Sequence, residues 1–142
     1  MSETHGPRRK GRSIGALLTG FLAVVLLSLG TDAVLHATGV FPGWGQPMGD
    51  ALYLLATAYR IVYGVAGSYI AARLAPDRPM RHALALGVVG LAMCIAGAAA
   101  TWNRGPGFGP KWYPVALIGT AMPGAWAGGL LHGASLRARP QR

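Results

Sequence analysis

The chain has 142 residues, enough for one domain. Only 12% of them are charged and 52% are hydrophobic, where a soluble domain carries about 25% charged residues, so too little charge is present to clothe a water-facing surface and a bilayer is the expected solvent. The net charge of +9 does not point to nucleic acid, because the basic residues follow the apolar runs instead of forming a binding stripe.

Residues 1–12 are polar and basic, with Gly6, Pro7 and Gly11, and read as a disordered cytoplasmic tail. From Ser13 to Thr31 no charge interrupts an apolar run, which is longer than a signal-peptide core and lacks a clear small-x-small cleavage site after it. An uncleaved first span is predicted over about 14–40. The second is predicted over 51–74, with Asp50 placed to cap its first turn beside Gly49. Ala75-Pro76-Asp77-Arg78-Pro79 then turns the chain back. The third span covers about 80–102 and the fourth about 113–136, with Pro114 suited to the fourth's first turn and Pro123 expected to kink it. Residues 137–142 form a second basic tail. Each apolar stretch has about 19 residues or more, enough to cross a hydrocarbon core of about 30 Å.

Ten of the thirteen Lys and Arg lie on one side of this arrangement: Arg8, Arg9, Lys10 and Arg12 before the first run, Arg73, Arg78 and Arg81 between the second and third, and Arg137, Arg139 and Arg142 after the fourth. Arg104 and Lys111 alone occupy the opposite loops. This positive-inside bias sets both termini in the cytoplasm. Trp44, Trp102, Trp112 and Tyr113 gather near the outer face, where rings with an apolar body and a polar tip anchor spans.

A weak repeat is visible. With a shift of about 64 residues, Pro42-Gly43-Trp44-Gly45 falls on Pro106-Gly107-Phe108-Gly109, the pattern of a duplicated helical hairpin in one orientation. Small residues recur at helical spacing: Gly64, Gly67, Ser68 and Ala71; Ala92, Ala96 and Ala100; Gly124 with Gly128, and Gly129 with Gly133. They let helix backbones approach where no water drives association. The glycine-rich fourth span is also a possible seam for a dimer or for another membrane protein.

Two charges lie within the spans, Asp32 and Arg60. Counting from the outer ends at about 1.5 Å per residue, each is about 14–15 Å deep, so they share a level in an antiparallel hairpin. A lone charge there costs at least about 2.5–3.5 kcal/mol, and pairing is the usual remedy. Asp32 and Arg60 are therefore expected to face each other. Ser28, Asp32 and His36 recur every four residues on one face, so His36 is expected to exchange a proton beside Asp32, and Tyr63 to bond Ser28. Two readings are open. In one the pair fixes helix register alone; in the other Asp32, His36 and Arg60 form a path for a proton, ion or small anion.

Nothing else carries chemistry. Cys94 is the only cysteine and sits in an apolar run. His82 and His132 lie near the cytoplasmic ends of spans three and four with no carboxylate beside them, a poor metal site. The four acidic residues, Glu3, Asp32, Asp50 and Asp77, are each in a different segment, and no nucleophile–base set or phosphate loop is present. No enzyme, cofactor or metal is expected.

Leu29-Gly30-Thr31-Asp32, Ala75-Pro76-Asp77-Arg78-Pro79 and Gly109-Pro110-Lys111-Trp112-Tyr113-Pro114 give the chain a resemblance, over most of 14–136, to small four-span bacterial inner-membrane proteins without assigned activity. That resemblance implies topology and no chemistry. The small multidrug resistance family is similar in size and span number and has a carboxylate in its first span, whose place Asp32 would take. It differs in lacking an arginine that neutralises that carboxylate, and in the weak charge bias of several members. The expectation is an all-α four-transmembrane-helix bundle, a non-enzymatic structural or accessory component of the bacterial cytoplasmic membrane. The alternative is a small proton-coupled transporter or channel.

Overall fold

The computed structural model describes residues 7–139, which form four long α-helices with no strand: α1 (Pro7–Ala37), α2 (Asp50–Leu74), α3 (Pro79–Thr101) and α4 (Trp112–Arg137). A single 3₁₀ turn, Pro106–Phe108, interrupts the loop before α4. Three stretches are long and apolar enough to cross a membrane: Arg8–Ala37, Pro79–Thr101 and Pro106–Arg137. The exception is α2, whose interior carries Arg60. It is 25 residues long, about 37 Å, and packs against each of the other three.

The boundaries have local causes. α1 stops at Ala37 because Gly39 takes a left-handed conformation (φ 74°) and the Phe41 N–H turns back to the Leu35 carbonyl. It therefore ends short of the predicted residue 40. At the other end it starts at Pro7, so Arg8–Arg12 continue the helix where an irregular tail was expected; residues 1–6 of that predicted tail lie outside the described residues. Asp50 does not cap α2. It is the first helical residue, and its carboxylate accepts the Trp112 indole N–H at 3.2 Å, tying the starts of α2 and α4. Pro79 opens α3, preceded by Arg78 in a left-handed conformation (φ 43°). α4 is continuous through Pro123.

The packing is small inside and large outside. The buried apolar residues are mostly alanines (Ala16, Ala56, Ala71, Ala72, Ala83, Ala98, Ala125), and no large side chain is fully buried among the described residues. Leu18, Leu22, Leu26 and Leu29 of α1 are each more than half exposed. Helices that meet through small residues and point leucines outward suit hydrocarbon surroundings.

Glycines mark the crossings. A Cβ on Gly20 would sit 2.6 Å from the Gly67 carbonyl oxygen, so α1 and α2 touch backbone to backbone there. One on Gly128 would sit 2.5 Å from the Val65 carbonyl oxygen, and one on Gly87 would strike Ala125. Gly124, Gly128 and Gly129 are buried among the helices, which leaves Gly119 and Gly133 on the less covered side of α4. The two loops that matched in the predicted repeat lie at the same end and touch, with Gly107 against the Gly45 carbonyl, yet only the second contains a 3₁₀ turn.

Candidate functional site: an ion pair walled by tyrosines

Asp32 of α1 and Arg60 of α2 meet as the sequence predicts, with Arg60 Nη2 donating to Asp32 Oδ2 at 2.6 Å. Helix direction explains the fit. α2 begins at the loop end, and helical side chains lean toward their own N-terminus. Arg60 therefore leans toward the loops, where its Nη1 donates to the Tyr113 hydroxyl at 2.5 Å. One guanidinium thus joins α1, α2 and α4.

The carboxylate's second oxygen, Oδ1, accepts the hydroxyl of Tyr59. Asp32 is buried, with both oxygens satisfied. Aromatic faces complete the site. The Arg60 guanidinium carbon lies 5.3 Å from the Tyr59 ring centre and 5.9 Å from that of Tyr113, both within cation–π range. Tyr113 packs at 5.1 Å on Tyr53, and Tyr59 at 5.7 Å on Tyr63. Four of the chain's five tyrosines gather here. Each supplies an apolar ring for a water-poor setting, and Tyr59 and Tyr113 also bring their hydroxyls to the charges.

Three expectations are corrected. His36 is not a member of the cluster: its Nδ1–H donates to the Pro42 carbonyl at 2.6 Å, and its ring stacks on Trp44 at 3.8 Å. It latches the loop to the end of α1, and no hydrogen bond joins it to Asp32. Tyr63 bonds the Thr31 hydroxyl at 2.7 Å, not Ser28. Ser28 instead lines a cleft next to the pair. Tyr113, expected only as a ring of the outer belt, is a direct partner of the pair, and so is Tyr59, to which the sequence assigned no role.

The cleft has a volume of about 520 Å³ and a predominantly apolar wall. It lies between α1 and α3, with α2 and α4 at its back, and Arg60 is the charged residue on its lining. Asp32 and Tyr59 do not line it. At the basic end His82 Nδ1–H faces the Arg78 carbonyl at 3.3 Å, whereas His132 is buried edge-on to Tyr69 with its Nδ1 unbonded. Among the described residues no group of three or more metal-binding side chains converges. No family model matches the chain, and no curated protein or solved structure matches it significantly.

Proposed function

We propose that this chain is a non-enzymatic four-span membrane component with both termini in the cytoplasm of a bacterial cell, and that Asp32–Arg60 is the staple that sets its helix register. One observation carries the reading: both oxygens of Asp32 are bonded, and the carboxylate is shut away from the neighbouring cleft. A carboxylate that binds and releases protons needs a path to water. Here Tyr59 and Arg60 close it, and His36, the one candidate relay, is committed to the loop. The crossing of α2 is supported by its central position, which turns Arg60 toward other helices instead of lipid. The cytoplasmic side is supported by the nine basic residues gathered at one end among the described residues.

The transporter reading keeps one support, the cleft that reaches Arg60. Asp32→Asn, Arg60→Gln and the double variant separate the two in detergent. For a staple, each single change lowers stability by about 3–5 kcal/mol, because one charge is left without its partner in a water-poor setting. The double variant recovers part of that, with a coupling of about 1 kcal/mol or more. Single variants as stable as the parent sink the staple and make proton-coupled uptake in vesicles the next assay.

A further inference from the structure

The cleft between α1 and α3 has the shape and chemistry of a binding site. On α3 its lining runs from Leu86 to Thr101, about 22 Å of helix. A volume of about 520 Å³ spread over that length makes a slot, long and narrow. α1 meets α3 toward the basic end, where Gly20 faces Leu86, while α1 and α4 stand apart. The slot therefore opens sideways, and its lips, Leu29 and Met93, are 59% and 58% exposed. An occupant enters from the surrounding hydrocarbon.

Glycines keep the slot open. A Cβ on Gly64, Gly90 or Gly97 would meet nothing within 4 Å, although all three line the cleft. These positions differ from Gly20, Gly67 and Gly128, where the missing side chain is filled by another helix.

Arg60 sets the polar requirement. Two of its five N–H donors are committed to Asp32 and Tyr113, and the other three have no protein acceptor among the described residues. The side chain is 27% exposed and lines the slot, so those donors are open to an occupant's oxygen. The charge of Arg60 is already balanced by Asp32. An anionic head would leave a net negative charge among apolar walls, which is costly. A neutral acceptor satisfies the donors at no such cost.

We propose that the cleft binds a neutral single-chain lipid whose ester or ketone carbonyl, or hydroxyl, accepts from Arg60 while its hydrocarbon chain fills the slot. The proposal rests on the membrane placement above, which loop sidedness tests independently, and does not depend on the staple reading.

The test uses the full chain in neutral nanodiscs with a diazirine-bearing monoacylglycerol as photoprobe. Labelling is expected on peptides of α1 and α3 that line the slot. Monooleoylglycerol should compete, with oleate at least tenfold weaker and octadecane weaker still. Gly90→Leu with Gly97→Leu fills the slot from α3, and Gly64→Leu fills it from α2; each should cut labelling tenfold or more. Gly119→Leu, on an open part of α4 outside the slot, should leave labelling unchanged. Thermal melts identify any variant that fails to fold, and filling from two helices keeps one arm readable. Undiminished labelling of the filled variants overturns the proposal. So does oleate competing as well as monooleoylglycerol, or a dimer that the filled variants dissolve, since a second copy would then be the occupant.

Discussion

Tyr59 and Tyr63 lie one helical turn apart on α2 and both bond α1, yet their hydroxyls do different work. Tyr59 donates to a buried carboxylate, whereas Tyr63 shares a bond with the Thr31 hydroxyl. A hydrogen bond to a charged group contributes about 1.5–3 kcal/mol, and a neutral bond between membrane helices averages about 0.6 kcal/mol. Tyr59→Phe should therefore destabilise the protein by about 1.5–3 kcal/mol in a detergent unfolding titration, and Tyr63→Phe by about 0.6 kcal/mol. Equal losses would mean that Asp32 finds water or another donor. Arg60→Lys should behave more like a loss than a conservative change, because one ammonium lacks the planar fork that reaches Asp32 and Tyr113 together. The pairing of Asp32 with Arg60 was legible in the sequence from depth alone. Its tyrosine partners were not. Tyr59 is about 100° around the helix from Arg60, and only the length of the phenol brings its hydroxyl back to the same carboxylate. Tyr113 reads as an anchoring ring until the lean of Arg60 toward the loops is known.

Helix pairs here are decided by glycines that look alike in sequence. Gly128 and Gly119 both lie in α4 among other small residues. A Cβ at Gly128 would come 2.5 Å from the Val65 carbonyl oxygen and 2.8 Å from the Tyr69 nitrogen, all of it backbone that cannot step aside. At Gly119 it would meet nothing. Gly128→Ala should part α2 from α4 at a cost of about 1–3 kcal/mol, the usual penalty of overpacking. Gly119→Ala should raise stability by about 0.5–1 kcal/mol, because alanine loses less backbone entropy in a helix. Thermal melts of the two proteins in one detergent check the pair; similar shifts would refute the assignment of Gly128 to the crossing. Seven of the eight helix ends were readable within about three residues, since long apolar runs broken by Pro and Gly have few other solutions; the exception is the start of α1, which takes in the basic residues from Arg8 to Arg12 and begins seven residues before the predicted 14. Which glycine faces which neighbour is absent from a single sequence, because small residues serve crossings, clefts and lipid-facing surfaces with the same letter. The expected seam on α4 shows the difficulty: Gly124, Gly128 and Gly129 are used inside the chain, so a second copy would meet α4 through Gly119 and Gly133.

At the scale of the whole molecule the question is whether α2 crosses. Hydropathy selects α1, α3 and the stretch containing α4, and passes over α2. Three crossings would place the first and last helices' free ends on opposite faces, and four would place them on the same face. The basic residues favour four, because Arg8–Arg12, Arg73–Arg81 and Arg137–Arg139 fall at one end of the packed helices while both Trp-bearing loops meet at the other. α2 fails a hydropathy window for the reason it suits the interior: its central charge is spent on Asp32, and the phenols of Tyr59 and Tyr63 on groups of α1. Single cysteines settle the matter once Cys94, the only native one, is replaced by alanine. With the protein expressed in a bacterium, Gln46→Cys and Asn103→Cys should react with a membrane-impermeant maleimide on intact cells. Asp77→Cys should react only after the cells are opened. Residues 46 and 77 flank α2, so labelling of both from outside would show that α2 does not cross, and the depth that pairs Asp32 with Arg60 would lose its meaning.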